Sequence, residues 1–224
     1  MKSHFKAAGR ALFKMRETDD AGVVLRALAE ILKYAEYIIY MANKTYVKGG
    51  VKRIPSEIAG MKNLPEGFLD IYNKIVTVSD IFEIKNESEK MMKVLSEFLD
   101  CEVEFVPVET KEKCQKKEPG LESLTGTYEE IYSNWYNKML HAKEIDSKYL
   151  SFNTMASCQE FYDEMSDEYN VPLISLIDKY DPDDLDVNAR NFELAMSEWK
   201  KNYDKLGILV REFKNLDEFE AAYL

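Results

Sequence analysis

A single helical stripe constrains this chain most. Between Asp20 and Thr45 apolar residues fall at Val24, Leu28, Ile31, Leu32, Ala35, Ile38, Ile39 and Ala42. Steps of three and four place them on one face of an α-helix, and such a face must be covered by other helices or a sheet. Asp19 or Asp20 can cap its start, while Gly49, Gly50 and Pro55 require the chain to have left the helix. The same period recurs on both sides. Phe5, Ala8, Leu12 and Phe13 predict a shorter helix before it. Leu69, Tyr72, Ile75 and Val76 predict a third, and "NESEKMMKVLSEFL" at 86–99 a fourth, with Met91, Val94, Leu95 and Phe98 inward. Short connections between such helices imply an antiparallel bundle.

The second half repeats the pattern. "TYEE" at 127–130 has the spacing of a capping box, with Ile131, Trp135, Met139 and Ala142 following as a stripe. Ser151, Met155, Cys158, Tyr162, Met165 and Tyr169 make the next, and Pro172 closes it, with a short helix possible over 173–179. "DPDD" caps a last long helix in which Phe192, Ala195, Met196, Trp199, Tyr203 and Leu206 share a face, and Gly207 is placed as its C′ residue. "ILVREF" is the best strand candidate, and "LDEFEAAYL" predicts a final helical turn or two. The expected fold is all-α: a bundle over 1–105, a Pro- and Gly-containing linker over 106–120 and a second bundle over 121–224, with at most one short strand or hairpin.

Charge is unevenly spread. Residues 1–62 hold 12 Lys/Arg against 6 Asp/Glu, whereas residues 121–224 hold 10 against 22, and the whole chain carries −11. Opposite excesses can attract each other or face different partners. Nucleic-acid affinity depends on neutralising phosphates, which an acidic chain does poorly. No apolar run is long enough for a membrane span, and the N-terminus is interrupted by Lys6, Arg10 and Lys14, unlike a secretory leader. Three cysteines, Cys101, Cys114 and Cys158, show no CxxC spacing, and there are two histidines, His4 and His141. A disulfide framework or zinc site is not expected, and a cytoplasmic location is.

Motifs that carry chemistry are scarce. Asp183, Asp184 and Asp186 resemble a two-metal carboxylate set, but no Gly-Ser turn precedes them, and an acidic helix cap fits the same residues. Asn134, Asn137, Lys138 and His141 read as an exposed polar row, and Cys158 has no histidine in its segment to activate it. No phosphate-binding glycine loop or nucleophile elbow occurs. The remaining candidate is "YMANKTYVKGGVKRIP" at 40–55. Tyr40, Asn43 and Tyr46 lie about a turn apart, and Lys44, Lys48, Lys52 and Arg53, with Lys62 further on, form the clearest basic cluster. They can form the rim of a site for an anion, or simply place cations at a helix C-terminus, which contributes roughly 0.3–1 kcal/mol each.

Residues 1 to about 100 resemble the helical C-terminal region of bacterial kanamycin-type and related minimal nucleotidyltransferases. A first helix there leads into a long helix ending near an N-x-x-Y element, here Asn43 to Tyr46, followed by a basic or aromatic stretch and an "LP" segment, here Leu64-Pro65. The resemblance implies a substrate-binding module in which Asn43, Tyr46, Lys48 and Lys52 face a nucleotide-like or acceptor ligand. In that family the Gly-Ser turn and the metal-binding aspartates come before this region, so the resemblance implies a catalytic domain that is carried by another chain, was lost, or lies outside this sequence. The expected function is therefore a non-catalytic helical ligand-binding module, with no catalytic residue, cofactor or metal of its own. Its expected ligand site is Tyr40, Asn43, Tyr46, Lys48, Lys52 and Arg53. The alternative is a helical protein–protein scaffold or homodimer without a small-molecule ligand.

Overall fold

The long stripe folds into a helix because its start is capped and its inner face is covered on several sides. The computed structural model describes residues 1–103, 124–169, 171–213 and 215–223. Helix α1 (Lys2–Arg16) leads through a short turn into α2 (Ala21–Ala42), where Asp20 accepts a hydrogen bond from the Val23 backbone N–H at 2.9 Å. The two pack along most of their length. After the 40–55 stretch come α3 (Ile54–Ala59), α4 (Phe68–Ile75) and α5 (Ile81–Leu99), and α5 lies against α1, α2 and α4. Asp80 caps α5 through the Glu83 N–H at 2.8 Å, so this helix begins before the expected Asn86. The short α3, which opens around Pro55, was not anticipated.

The second half comprises α6 (Thr127–Ile131), a π-helical turn (Tyr132–Tyr136), α7 (Asn137–Glu144), α8 (Lys148–Glu168), α9 (Leu185–Leu206) and α10 (Leu216–Tyr223). The fold is all-α, and among the described residues there is no strand. "ILVREF" runs without regular structure, because only Ile208 and Val210 gain cover while Leu209 stays 75% exposed. That alternation stops at Val210, since Arg211, Glu212 and Phe213 are all exposed, and no strand among the described residues lies beside it. The capping box at Thr127 is not formed. Gly126 holds the cap position, and the Thr127 hydroxyl donates instead to the Leu124 carbonyl at 2.7 Å and lies against the Tyr203 hydroxyl. Between Pro172 and Tyr180 only Ile177–Lys179 makes a 3-10 turn. The linker expected over 106–120, including Cys114, lies outside the described residues.

Asp184 caps α9 through the Val187 N–H at 2.9 Å. Gly207 ends that helix at φ +70°, a left-handed position that costs a side chain energy. Around Trp199 the rings of Phe161, Tyr162 and Tyr203 sit at centroid distances of 5.5, 5.5 and 5.3 Å, tilted or edge-to-face, the arrangement aromatic quadrupoles favour. Buried residues of both halves join one hydrophobic cluster, with α2 running against α5 on one side and α8 and the 177–179 turn on the other.

Candidate functional site

The 40–55 stretch is built around one carboxylate. Glu57 on α3 accepts from the Tyr40 hydroxyl at 3.0 Å, the Lys48 N–H at 3.1 Å and the Gly49 N–H at 2.6 Å. The hydrogen bond from the Lys48 backbone, followed by the one from Tyr40, holds its carboxyl below the usual range. The Tyr40 hydroxyl is pushed up, first by burial and then by Glu57. Asn43 forms a second clasp. Its Nδ2 donates to the Ile39 and Asn63 carbonyls at 2.9 Å each, and its Oδ1 accepts from the Asn63 N–H at 2.9 Å. Tyr40 is 4% exposed and Tyr46 73%. Helix α2 stops at Ala42, and Lys44 turns at φ +52°, so Tyr46 does not continue the face that carries Tyr40. Lys48, Lys52 and Arg53 are exposed. Thus Tyr40 and Asn43 have their polar groups spent on the fold, while Tyr46 and the three basic residues stand at the surface around them.

A more enclosed site lies one helix face away. Between α2 and α8 runs a cleft of about 650 Å³. Glu36 lines it from α2, on the face where Leu32, Ala35, Ile39 and Tyr40 are buried, and is itself 6% exposed. Its Oε1 accepts two hydroxyls, from Tyr72 of α4 at 2.7 Å and from Tyr149 of α8 at 2.8 Å. The carboxylate is thus the point where three helices from both halves meet. Burial raises the Glu36 carboxyl above its ordinary value, and the two tyrosine hydrogen bonds pull the other way. Burial raises both tyrosine hydroxyls as well. Oε2 makes no hydrogen bond to any described residue.

Towards the rim the cleft is charged. Arg26 reaches across to Asp163 with contacts of 2.8 and 3.3 Å, and Lys33 to Glu160 at 2.8 and 3.2 Å. Gln159 anchors the floor: its Oε1 accepts from the Leu176 and Ile177 N–H groups at 2.6 and 3.2 Å, and its Nε2 donates to the Ile174 carbonyl at 2.9 Å. The Val47 and Ile54 side of the 40–55 stretch also lines the cleft, so the clasped segment forms part of its wall.

The other sequence candidates resolve simply. Asp184 is the helix cap described above, and Asp183 and Asp186 pair with Lys148 and Lys143. Among the described residues no group of His, Cys, Asp or Glu is arranged to hold a metal ion. Cys158 is buried, and burial pushes its thiol up to about 12, away from nucleophilic use. His141 faces Glu144 at 3.4 Å on the surface. Sequence reasoning missed Glu36, although a carboxylate four residues after Leu32 and four before Tyr40 stands out on an apolar face. No helix among the described residues is long and apolar enough to cross a membrane. Neither a protein-family model, nor a curated protein, nor a solved structure matches the chain.

Proposed function

We propose that this chain is a helical small-molecule-binding module that performs no chemistry by itself, and that its ligand enters the cleft between α2 and α8. The observation that carries this reading is Glu36: a buried carboxylate with two hydroxyls on one oxygen and none on the other, in the wall of a cleft of about 650 Å³. That volume is in the range of sites for small ligands. The resemblance of residues 1 to about 100 to nucleotidyltransferase substrate-binding regions supports the same class of role, with catalysis supplied by another chain. Tyr46, Lys48, Lys52 and Arg53 do not line this cleft and stand apart from it as a separate exposed cluster. Thermal unfolding with a panel of nucleotides and aminoglycosides tests the reading, since a ligand that binds only the folded state raises Tm. Ser157, in the cleft wall, supplies the control: Ser157→Tyr should abolish the shift. A panel that leaves the wild-type Tm unmoved counts against a ligand module.

A second reading, a protein–protein scaffold or homodimer, draws on Leu209, Leu216 and Phe219, which are 75%, 66% and 46% exposed near the C-terminus. Light scattering across a salt series distinguishes it, because an apolar contact persists at high salt and an electrostatic one loosens.

A further inference from the structure

Resting on the reading of the α2–α8 cleft as a ligand site, we infer that its ligand is a flexible oligoamine, bound with one ammonium against Glu36 Oε2. Six carboxylates line the cleft against two cations, and both cations are already committed: Arg26 to Asp163, and Lys33 to Glu160. Glu30 is held by Lys14 at 3.3 Å from outside. Glu164 and Asp167 make no ion pair or hydrogen bond among the described residues. The surplus in the cleft is therefore negative. A phosphate entering it would have to break an existing ion pair and would still face that surplus.

Acidic residues on a helix are commonplace, but the cleft has a feature they do not explain. One of its buried polar groups is a carboxylate whose donors all sit on Oε1. Tyr72 and Tyr149 fix the plane of the carboxyl and leave Oε2 without a hydrogen bond among the described residues. An ammonium placed there gains a charge-assisted hydrogen bond, and its charge offsets the burial that otherwise disfavours the ionised carboxyl. Tyr149, beside the same carboxyl, and Tyr34 and Tyr37, at the cleft wall, add aromatic surface, against which methylene groups and cations both rest well. Further along α8 the two uncommitted carboxylates, Glu164 and Asp167, lie about one turn apart, roughly 5.4 Å. Short methylene spacers between ammonium groups match that pitch.

Isothermal titration of the full chain with spermidine, alongside ATP, is the test. Spermidine should bind, and Glu36→Gln, which keeps an acceptor for both tyrosines, should weaken it by roughly tenfold or more. The pair Glu164→Gln with Asp167→Asn should weaken it less and flatten its salt dependence. If spermidine binds Glu36→Gln as tightly as wild type, only a diffuse acidic surface is at work and the assignment falls. If ATP binds, sensitive to Ser157→Tyr, while spermidine does not, the cleft remains a ligand site and the oligoamine is wrong. If neither ligand binds and the thermal panel is also silent, both readings fall together.

Discussion

Replacing Glu36 by alanine separates what this carboxylate does for the fold from what it offers a ligand. The change removes the shared acceptor of two hydroxyls, Tyr72 at 1% exposed and Tyr149 at 8%. A buried donor left without a partner costs about 1–3 kcal/mol. Tyr72 has no route to water and should bear that cost fully, whereas Tyr149 also lines the cleft and can rehydrate. The cost of burying the carboxyl itself disappears with the mutation and offsets part of the loss. A net destabilisation of about 2–3 kcal/mol is expected, a large share of a typical domain's stability. Urea unfolding measures it, with a shift in midpoint at unchanged slope. Glu36→Gln should stay within about 1 kcal/mol of wild type, because an amide oxygen still accepts both hydroxyls. A triple change to Glu36→Leu, Tyr72→Phe and Tyr149→Phe should recover most of the loss, since it leaves no donor stranded. A Glu36→Ala protein as stable as wild type would refute the reasoning, as would Tyr72→Phe and Tyr149→Phe effects that do not depend on the residue at 36.

Stability against pH should distinguish wild type from Glu36→Gln. Because folding raises this carboxyl's pKa, the proton is held more tightly in the folded state. Its stabilising contribution is therefore present below the ordinary carboxylate range and lost as pH rises through the raised value. In urea midpoints, Glu36→Gln should gain on wild type as pH rises from the ordinary carboxylate range through the raised value of Glu36. Trp199→Ala should cost about 3–5 kcal/mol by thermal or urea unfolding, because the ring is 1% exposed and three other rings close around it. Asp184→Ala should cost about 1 kcal/mol through the lost Val187 cap, and Gly207→Ala about 1–2 kcal/mol through strain at positive φ.

Much of the helical plan is legible in the residues, because burial in this chain follows the 3.6-residue period. Val24, Leu28, Ile31, Ile38 and Ile39 of the opening stripe are all buried, and Asp20, Asp184 and Gly207 end helices where their chemistry suits them. Boundaries set by tertiary contact were harder to read. The π-turn at Tyr132–Tyr136 arises where the rings of Tyr132 and Tyr136 stack at 5.0 Å, a local accommodation that no residue type announces. Thr127 has the right spacing for a capping box, yet its hydroxyl turns to Leu124 and Tyr203, and a contact 76 residues away cannot be seen in a local pattern. The site is the sharpest case. Tyr40 and Asn43 looked available because sequence shows polarity and not partners. Glu57 and Asn63, which occupy them, lie 17 and 20 residues further on.

The charge segregation along the chain acquires a structural meaning at the α2–α8 seam. The basic first quarter supplies Arg26 and Lys33, and the acidic second half supplies Asp163 and Glu160. Their side chains are 28–58% exposed, so each pair contributes little, about 0–1 kcal/mol, and salt screens them further. Burial through one continuous hydrophobic cluster stabilises the junction far more. The pairs matter instead for where charge is left over. Because α8 presents more carboxylates to the cleft than α2 presents cations, sealing the seam consumes the positive charge and leaves the cleft acidic. Reversing one pair, Lys33→Glu with Glu160→Lys, preserves that surplus and should leave both stability and spermidine affinity near wild type. Lys33→Glu alone deepens the surplus by two charges and should tighten spermidine binding while costing little stability. An unchanged or weaker spermidine affinity in Lys33→Glu would show that net charge in the cleft does not govern what it binds.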